Sequence, residues 1–450
     1  MQQGNYDAVV IGSGIGGLGA AAMLADKGYK ILVVERMNRL GGRMSTDEFE
    51  GFKLPTGALA IHRGDEVDEV FKRVGINVDL MDVPPLYYRL AGKDFEMPTK
   101  GSISTMFDIL GKLDVNRTKL MGGFMKAGGK EKLMGGFRKG VANPEKEAMT
   151  FKDWMLEYTD NELAHDIFDT IACSLLGCHT YEVSAASMFQ WFVKMGGARD
   201  VGVAPRGNLV NMEMLADVVR RQGDVWSNCP VKKIIVSKGA AQGVVVEKDG
   251  SDIEITAKAV ISNAGTPGTV ELAGEDNFDD KYMRMLRLKF RPHPCIIAFV
   301  ASDRALWPDD GSAAILMLTG TRRIKSLIPL SSIAPDLAPP GQHLMFGLAS
   351  PVTSELDMDV DEETRQVTLD IEEQLPLYKK HGRILRIETR NRNNPLTDVK
   401  TRPGMGMPPE TPIKNLYNVG DCILDSGLAG TTGAADSALK VVEMLKKRLK

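Results

Sequence analysis

Short apolar runs, each bounded by glycine or polar residues, predict buried β-strands near both ends of this chain. The run Asp7–Ile11 leads into a glycine-rich turn, a stretch with apolar residues at helical spacing, and a second apolar run, Leu32–Val34. This order of strand, turn, helix and strand is a βαβ unit. A similar run, Leu416–Val419, lies near the other end. Such apolar strands are typical of a parallel sheet covered on both faces, so we expect one central parallel sheet.

The middle of the chain carries different patterns. Tyr87–Leu90 and Asp94–Met97 flank a short loop that contains glycine, which predicts a hairpin. Apolar residues at helical spacing predict helices over 151–158 and 161–176. Farther on, the apolar run Cys295–Val300 predicts a strand.

These patterns predict an α/β protein with a discontinuous organisation. We expect a doubly wound, Rossmann-type domain that binds a dinucleotide and a second domain of mixed α+β structure that binds the substrate. The predicted segments of the first domain are 1–80, 205–270 and 393–450. Those of the second domain are 81–204, which is mostly helical, and 271–392.

The glycine-rich turn after the first strand indicates dinucleotide binding. Gly12 suits a tight turn, Gly14 lets the backbone approach a pyrophosphate, and Gly17 lets the helix pack close to the strand. The free amides at the start of the helix attract phosphate. Glu35 ends the second strand, where its carboxylate can accept hydrogen bonds from ribose hydroxyls but would repel a 2′-phosphate. The alternative is a βαβ unit whose glycine turn binds no ligand.

Composition narrows the class of protein. The chain has 450 residues, 43% of them hydrophobic, and a net charge of −3, so we expect a large core in more than one domain and no nucleic-acid partner. The first strand begins too early to leave room for a signal peptide, and no apolar run has the length of a membrane span. Five scattered cysteines without a Cys-x-x-Cys pair predict free, buried thiols in the cytoplasm, and no metal site.

Several motifs in the expected order give the chain a family resemblance. The glycine turn is followed by Leu40–Arg43, then by Pro205–Leu209 and Cys229–Val236, and finally by Asn415–Asp421 and Gly427–Ala435. With these motifs the chain resembles the FAD-dependent superfamily of amine oxidases, protoporphyrinogen oxidases and phytoene desaturases. The hairpin and the segment Gly57–His62 look closest to the phytoene-desaturase-like branch.

The resemblance implies FAD as the cofactor and a set of residues that bind it. Val231 would hold the adenine through its backbone, and Asn263 stands where a strand meets the cofactor in this family. The predicted cofactor-binding residues are Gly12, Ser13, Gly14, Gly16, Gly17, Glu35, Arg36, Gly41, Gly42, Arg43, Gly57, Ala58, Val231, Asn263, Gly420, Asp421, Gly430, Thr431 and Thr432. A covalent link through Cys422 is conceivable, but a packing role suits a free cysteine better.

The closing motif also has a physical interpretation of its own. Asp421 follows a strand and can accept hydrogen bonds from ribityl hydroxyls or backbone amides. Thr431 and Thr432 are suitable caps for a helix that we expect to start in the run Gly433–Ala438. The positive end of that helix would stabilise negative charge on a reduced flavin. The alternative is an ordinary helix after a glycine loop.

The electron acceptor stays open at this stage. The chain has no second strand-linked Gly-x-Gly-x-x-Gly motif for NAD(P)H and no redox cysteine pair. The electrons therefore pass to oxygen, to a quinone, to a partner protein or back into the substrate. The run Leu424–Ala429 carries no aromatic residue where amine oxidases of the family have one near the flavin, which disfavours an amine substrate.

Candidates for catalysis are few. His62 follows the motif that should pass the flavin, where a histidine could orient the substrate or carry a proton; a structural or surface histidine is the alternative. Tyr87, Tyr88 and Trp191 could line the pocket or fill the core. Hydride transfer needs little beyond placing a C–H bond near flavin N5 in a dry site, so the lack of an obvious base does not count against it.

A repeated segment suggests contact with a membrane. Lys119–Phe124 recurs as Lys132–Phe137, within a region rich in lysine, methionine and glycine. Cations beside Leu, Met and Phe would suit a peripheral membrane contact over 112–139, next to the entrance for a lipid substrate. The alternative is a surface loop of low sequence complexity.

Together these features predict an FAD-dependent oxidoreductase that moves a hydride between flavin N5 and an apolar isoprenoid, lipid or alicyclic substrate and forms or removes a C=C bond. One alternative is an oxygen-dependent amine or protoporphyrinogen oxidase of the same fold. The other is a flavin-bearing protein that docks to membranes without catalysis. The substrate, the direction of reaction and the oligomeric state stay open.

Overall fold

A computed structural model describes residues 2–97, 122–123, 149–195, 201–392, 394, 404–423, 428, 430–446 and 448. The strands are β1 (Gln2–Ile11), β2 (Ile31–Val34), β3 (Thr46–Phe49), β4 (Phe52–Pro55), β5 (Ala60–His62), β6 (Met81–Asp82), β7 (Leu86–Leu90), β8 (Lys93–Met97), β9 (Val201–Val203), β10 (Asp224–Trp226), β11 (Val231–Ser237), β12 (Ala240–Lys248), β13 (Ser251–Ser262), β14 (Cys295–Ser302), β15 (Ile315–Leu318), β16 (Ile324–Ile328), β17 (His343–Ala349), β18 (Gly382–Arg390) and β19 (Leu416–Asn418).

The helices cover the sheets that these strands form. They are α1 (Ile15–Ala25), α2 (Glu66–Arg73), α3 (Phe151–Leu156), α4 (Glu162–Leu176), α5 (Ala185–Met195), α6 (Asn208–Arg220), α7 (Thr266–Ala273), α8 (Asp280–Lys289), α9 (Leu330–Ile333), α10 (Val360–Gln374), α11 (Tyr378–His381) and α12 (Gly430–Leu445), with 3₁₀ turns at Glu275–Asn277 and Pro335–Leu337.

The first sheet has the order β10-β2-β1-β13-β12-β11, and β19 also pairs with β13. Strands β10, β2, β1, β13 and β19 are parallel neighbours, whereas β12 and β11 continue the sheet in antiparallel fashion. Both ends of the chain thus enter one sheet, because β1 and β19 pair with the same strand. The apolar strands are buried because helices cover both faces of the sheet.

Two apolar clusters cover the two faces of this sheet. On one face α1 is buried at every position and packs with α6, α12 and α2. On the other face, side chains from β1 and β12 pack against α7 and α8. The alternation along β1 divides its side chains between the faces: Ala8 and Val10 lie in the first cluster, Val9 and Ile11 in the second.

The second sheet has the order β18-β14-β17-β16-β15-β7-β8. Strand β14 lies between two antiparallel neighbours and is buried at every position. Helices α3, α4 and α5 pack over β7 and β8, and α10 packs on another part of the sheet. Strands β5 and β6 both pair with β9, so the small sheet β5-β9-β6 joins segments that are distant in sequence.

The structure agrees with the predicted α/β class, and the predicted hairpin is confirmed. Strands β7 and β8 pair in antiparallel fashion, and the turn between them uses Ala91 and Gly92, both with positive φ, as a tight hairpin turn requires. The helices predicted over 151–158 and 161–176 occur as α3 and α4, with Asn161 as the N-cap of α4. The predicted division into domain segments stays a prediction.

The predicted start of the last helix is wrong. Helix α12 begins at Gly430, so Thr431 and Thr432 lie in its first turn rather than capping it. Thr432 instead donates its hydroxyl hydrogen to Asp65, 2.8 Å away, and this contact takes the place of a cap bond. Small residues over Gly433–Ala435 allow the helix to extend to the sheet, where Ala434 and Ala435 are buried.

The predicted membrane contact over 112–139, with both copies of the repeat, lies outside the described residues apart from 122–123. Across the described part of the chain, no helix combines the length and the apolar character that crossing a membrane requires.

Asp370 fixes α10 to the start of β16, and its removal should destabilise the second sheet. Its carboxylate is fully buried and accepts hydrogen bonds from the backbone amides of Arg322, Arg323 and Ile324, at 3.1, 2.6 and 3.0 Å. We expect Asp370→Ala to lower the free energy of unfolding by about 3 kcal/mol, because three backbone amides, one of them in the buried Ile324, lose their acceptor. Chemical denaturation followed by circular dichroism measures this loss.

The matched control is Glu373→Ala in the same helix. Glu373 binds the same Arg322, at 2.7 and 2.8 Å, but its side chain is 53% exposed. We expect a much smaller loss, because an exposed ion pair contributes little to stability. Equal losses for the two variants would show that the buried carboxylate is not what holds α10 in place.

Candidate functional site

The glycine-rich turn packs so tightly that side chains are excluded from it. A Cβ atom on Gly17 would lie 2.2 Å from the carbonyl oxygen of Gly12, and one on Gly16 would lie 2.9 Å from the amide of Gly420. The N-cap of α1 is Gly14, which has no side chain to accept the amides of the first turn. The first turn of α1 therefore has no side-chain cap, and an uncapped helix start is the arrangement that binds a phosphate group.

Asn263 connects the glycine turn to the end of β19. Its backbone amide donates to Ile11 O at 2.7 Å. With the side-chain amide assigned so that both ends are satisfied, the oxygen accepts from Gly14 N at 3.1 Å and the nitrogen donates to Val419 O at 3.3 Å. The carboxyl ends of β1, β13 and β19 are thereby held together, which is where open α/β sheets bind ligands.

Glu35 is buried at the end of β2 and organises the loop. One carboxylate oxygen accepts from Ser13 N at 2.8 Å and from Ser13 Oγ at 2.7 Å; the other accepts from Met37 N at 2.9 Å. Ser13 Oγ also accepts from Gly41 N at 3.1 Å, which joins the first glycine motif to the second. The carbonyl of Glu35 accepts from Cys229 N at 2.9 Å, so the segment that leads to Val231 lies beside it.

A bidentate ion pair joins the second glycine motif to the closing motif. Arg43 Nη1 and Nη2 each lie 2.7 Å from an oxygen of Asp421, which is 4% exposed. Such a fork is a strong, directional pair that fixes both side chains. The carbonyl of Arg43 accepts from Ala58 N at 3.0 Å, and a Cβ atom on Gly57 would lie 2.7 Å from that same oxygen. One connected group of residues results: Gly42, Arg43, Gly57, Ala58 and Asp421.

The start of α12 is attached to the start of α2. Asp65 is the N-cap of α2, and its Oδ1 accepts from the amides of Val67 and Asp68 at 2.8 and 3.1 Å. Its other oxygen accepts from Thr432 Oγ1. At the same end of the site, Gly420 N donates to Ser437 Oγ at 2.8 Å, so α12 is also bound directly to the strand-end motif.

The remaining predicted residues are less closely connected. Val231 begins β11, next to the segment that contacts Glu35, and is half-buried. Gly430 and Thr431 lie at the beginning of α12. Arg36 is exposed. His62 ends β5, opposite Val201 of β9, four residues beyond Ala58. Thus the structure brings most of the predicted residues into one network, whereas Arg36 and His62 lie at its edges.

Three residues in this region were not among the sequence predictions. Arg39 donates to Gly42 O at 2.9 Å, and burial lowers the pKa of its guanidinium. Thr56 donates to the same carbonyl at 2.9 Å. Arg390, at the end of β18, is 3% exposed and donates to Thr56 O at 3.0 Å. Arg39 could have been identified from its position four residues before Arg43, but no local signal predicts the contact of Arg390.

Cys422 is buried directly after Asp421 and packs in the apolar cluster under the first sheet. Burial raises the pKa of its thiol. The neutral thiol is a poor nucleophile, so its surroundings suit packing. Whether FAD is covalently linked stays a question for experiment.

Comparisons with known proteins agree with the fold and identify the family. Residues 15–443 match the model of the family described as flavin-containing amine oxidoreductases. A zeta-carotene-forming phytoene desaturase of Myxococcus xanthus is 26% identical over 288 residues, which are 58% of this chain and 54% of that protein.

Solved structures share the fold over the whole length. A structure of an oxidoreductase from Methanosarcina mazei has a TM-score of 0.81 with 24% identity, covering 97% of this chain and 99% of that one. A structure of a putrescine oxidase triple mutant has a TM-score of 0.73 with 16% identity, covering 99% of each chain.

The residues of the site fit FAD, the cofactor of this family. The closely packed glycines of the turn and the uncapped start of α1 suit a pyrophosphate. The buried Glu35 suits an adenosine ribose, and the surface from Arg43 to Asp421 suits the flavin half. FAD supplies hydride chemistry at N5 when it is bound.

The close approach of Gly14 and Asn263 gives a test of the loop by a double-mutant cycle. A Cβ atom on Gly14 would lie 2.5 Å from the side-chain amide of Asn263. We expect Gly14→Ala to weaken FAD binding about 30-fold, or about 2 kcal/mol, because this clash displaces the loop. In an Asn263→Ala background the same change should cost at least fivefold less, about 1 kcal/mol of coupling.

Fluorescence titration of the four deflavinated proteins with FAD provides the dissociation constants. Effects that simply add would show that Asn263 does not set the position of the loop.

Removal of the Asp421 carboxylate should lower the affinity of the protein for FAD. We expect Asp421→Ala to weaken FAD binding by at least tenfold, about 1.4 kcal/mol, because Arg43 loses its bidentate partner. Asp421→Asn keeps one oxygen acceptor and should lose less. The ratio of visible flavin absorbance to protein absorbance after gel filtration measures retention. A fully yellow Asp421→Ala protein would remove Asp421 from the site.

Proposed function

The chain belongs to the family of flavin-containing amine oxidoreductases, and on that premise we propose that it moves a hydride between FAD and an apolar substrate. It is an FAD-dependent oxidoreductase. The proposed reaction forms or removes a C=C bond, in an isoprenoid, lipid or alicyclic compound. The observation that carries this proposal is the apolar wall that continues from Gly57 and Ala58.

The wall is formed by the segment that leaves the flavin side of the site. Leu59 and Ala60 pack beside Val203 of β9 in a cluster that also contains Cys295 and Phe299 of β14. This cluster joins the small sheet β5-β9-β6 to a face of the second sheet. Leu59 and Ala60 are only partly buried, whereas the residues from β9 and β14 are core, so a substrate next to Ala58 would meet these two aliphatic side chains, which favour an apolar molecule.

The polar groups at this place are already paired. Arg390 binds Thr56 O and lies 2.5 Å from a carboxylate oxygen of Glu388. Arg43 is occupied by Asp421. A buried ion pair with both partners satisfied leaves little charge for a substrate. The role that we assign to these residues is to fix the backbone around Gly42 and Gly57, not to bind a charged substrate.

His62 is the proposed catalytic side chain. It lies at the end of β5, two residues beyond Ala60, which belongs to the apolar wall. There its imidazole could orient the substrate or carry a proton to or from it. We expect His62 to contribute little to the rate, because hydride transfer depends mainly on placing a C–H bond near the flavin in a dry site.

Two further observations support a C=C bond over an amine. The relative from Myxococcus xanthus is named for the desaturation of phytoene. The run Leu424–Ala429 carries no aromatic residue. The family name and the shared fold of putrescine oxidase favour an oxygen-dependent oxidase as the second candidate.

Oxygen reactivity distinguishes the two candidates. We propose to reduce the purified flavoprotein with light in the absence of air and to follow the visible flavin absorbance as oxygen is mixed in. Slow recovery, over many minutes, is expected for an enzyme that returns electrons to a quinone, a partner protein or the substrate. Recovery within seconds would overturn the proposed function in favour of an oxidase and would direct the search to amines and porphyrinogens.

The proposed contact with a membrane, and the alternative of a docking protein without catalysis, depend on 112–139. Vesicles of anionic lipid should bind the protein, and replacement of Lys119, Lys126, Lys130 and Lys132 by Glu should abolish the binding. Equal binding of both proteins in a vesicle sedimentation assay would remove these lysines from the proposal.

A further inference from the structure

Away from the FAD site, three potential metal ligands meet at the end of α4. His179 Nδ1 lies 2.9 Å from Asp169 Oδ2 and 3.3 Å from Cys173 Sγ, and that sulfur lies 3.7 Å from the same carboxylate oxygen. Among the described residues, these three form the group whose ligand atoms all lie within 4.8 Å of one another. Nothing in the proposed reaction uses them.

Local sequence explains why the three side chains converge. Asp169 and Cys173 are four residues apart in α4, so they lie on one face of the helix. The helix ends at Gly177, whose φ of 69° turns the chain back and brings His179 over that face. Asp169 Oδ1 then accepts from Thr180 N at 2.9 Å, which fixes the returning loop. The arrangement is therefore held by backbone structure before any ion binds.

The orientation of the imidazole suits metal binding. His179 Nε2 lies 2.7 Å from the carbonyl oxygen of Pro351, so this nitrogen carries hydrogen and donates. The other nitrogen faces the cysteine and the carboxylate. A ligating histidine usually donates its second ring N–H to a carbonyl or carboxylate, which fixes the ring and its tautomer.

The separations fit a small, tightly bound cation. The three donor atoms lie 2.9, 3.3 and 3.7 Å from one another, separations that zinc can bridge with bonds of about 2.0 Å to nitrogen and oxygen and about 2.3 Å to sulfur. A ligand set of thiolate, imidazole and carboxylate suits zinc, whereas calcium and magnesium prefer oxygen alone. An ion displaced slightly from the plane of these three atoms, with a fourth ligand on its far side, would have tetrahedral coordination.

One neighbour competes with the ion. Lys325 Nζ of β16 lies 3.3 Å from Asp169 Oδ2, the oxygen that faces the other ligands. Its side chain is 12% exposed, and zinc binding requires its ammonium group to move away from Asp169. The side chains of His179 and Asp169 are 10% and 15% exposed, so the cluster lies near enough to the surface for an ion to enter.

We propose that Asp169, Cys173 and His179 form a zinc site with its fourth position open to water. The ion would hold the end of α4 to the loop at Pro351 and so brace the second sheet. This proposal does not depend on the substrate or on the direction of the flavin reaction.

The first test measures zinc in the purified holoenzyme by mass spectrometry, with FAD content as the check of folding. We expect zinc in a constant ratio to protein after dialysis. Cys173→Ser should weaken zinc binding by at least tenfold. The matched control is Cys178→Ser, which removes another buried thiol five residues along the chain. It should retain zinc.

Two results would overturn the proposal. One is wild-type holoenzyme that takes up no zinc even after zinc chloride is added. The other is equal zinc content in the two serine variants while both retain FAD. If Cys173→Ser fails to fold, the wild-type protein decides the matter through cobalt(II) in place of zinc. Tetrahedral, sulfur-ligated cobalt absorbs in the red, where oxidised flavin is transparent. Absence of that band would contradict the site, and His179→Gln should remove it.

Discussion

The close approach of three strand ends at Asn263 is the constraint on which the rest of the site depends. Its backbone binds Ile11 O, and its side chain lies between the glycine turn and Val419 O. A Cβ atom on Gly14 or Gly420 would come within 2.5 or 2.7 Å of that side chain. The fixed side chain of Asn263 therefore requires glycine at positions 14 and 420. Because Gly14 is also the N-cap of α1, the start of that helix has no side-chain cap and suits a phosphate.

Charge is distributed along the site in the order that a dinucleotide needs. The buried carboxylate of Glu35 lies at one end, the free helix amides in the middle, and the paired Arg43 and Asp421 at the other end. Beyond that pair the surroundings become apolar through Leu59, Ala60 and Val203. We propose that the polar part binds the cofactor and the apolar part receives the substrate, which is why hydride transfer in a dry site is the proposed function.

Sequence reasoning predicted secondary structure where the signal was local. The first strand and helix around the glycine turn and the hairpin at Ala91 and Gly92 follow from a few neighbouring residues. Local propensity misplaced the start of α12, because Thr432 binds Asp65, which is 367 positions away. The contact of Arg390 with Thr56 spans 334 positions and gives no local pattern. At the proposed zinc site, the spacing of Asp169 and Cys173 in the sequence predicts that they share a helix face. The approach of His179 and Lys325 to them is a tertiary contact that the sequence pattern does not predict.

Hydrogen exchange with and without FAD tests the location of the cofactor most directly. Backbone amides in peptides that contain Gly12–Gly17, Leu40–Arg43 and Val419–Cys422 should exchange more slowly when FAD is added back to the deflavinated protein. Peptides from β14 should exchange at the same rate in both samples, because that strand is already buried at every position. Unchanged exchange in the three glycine-containing segments, with slowing elsewhere, would contradict the site described above.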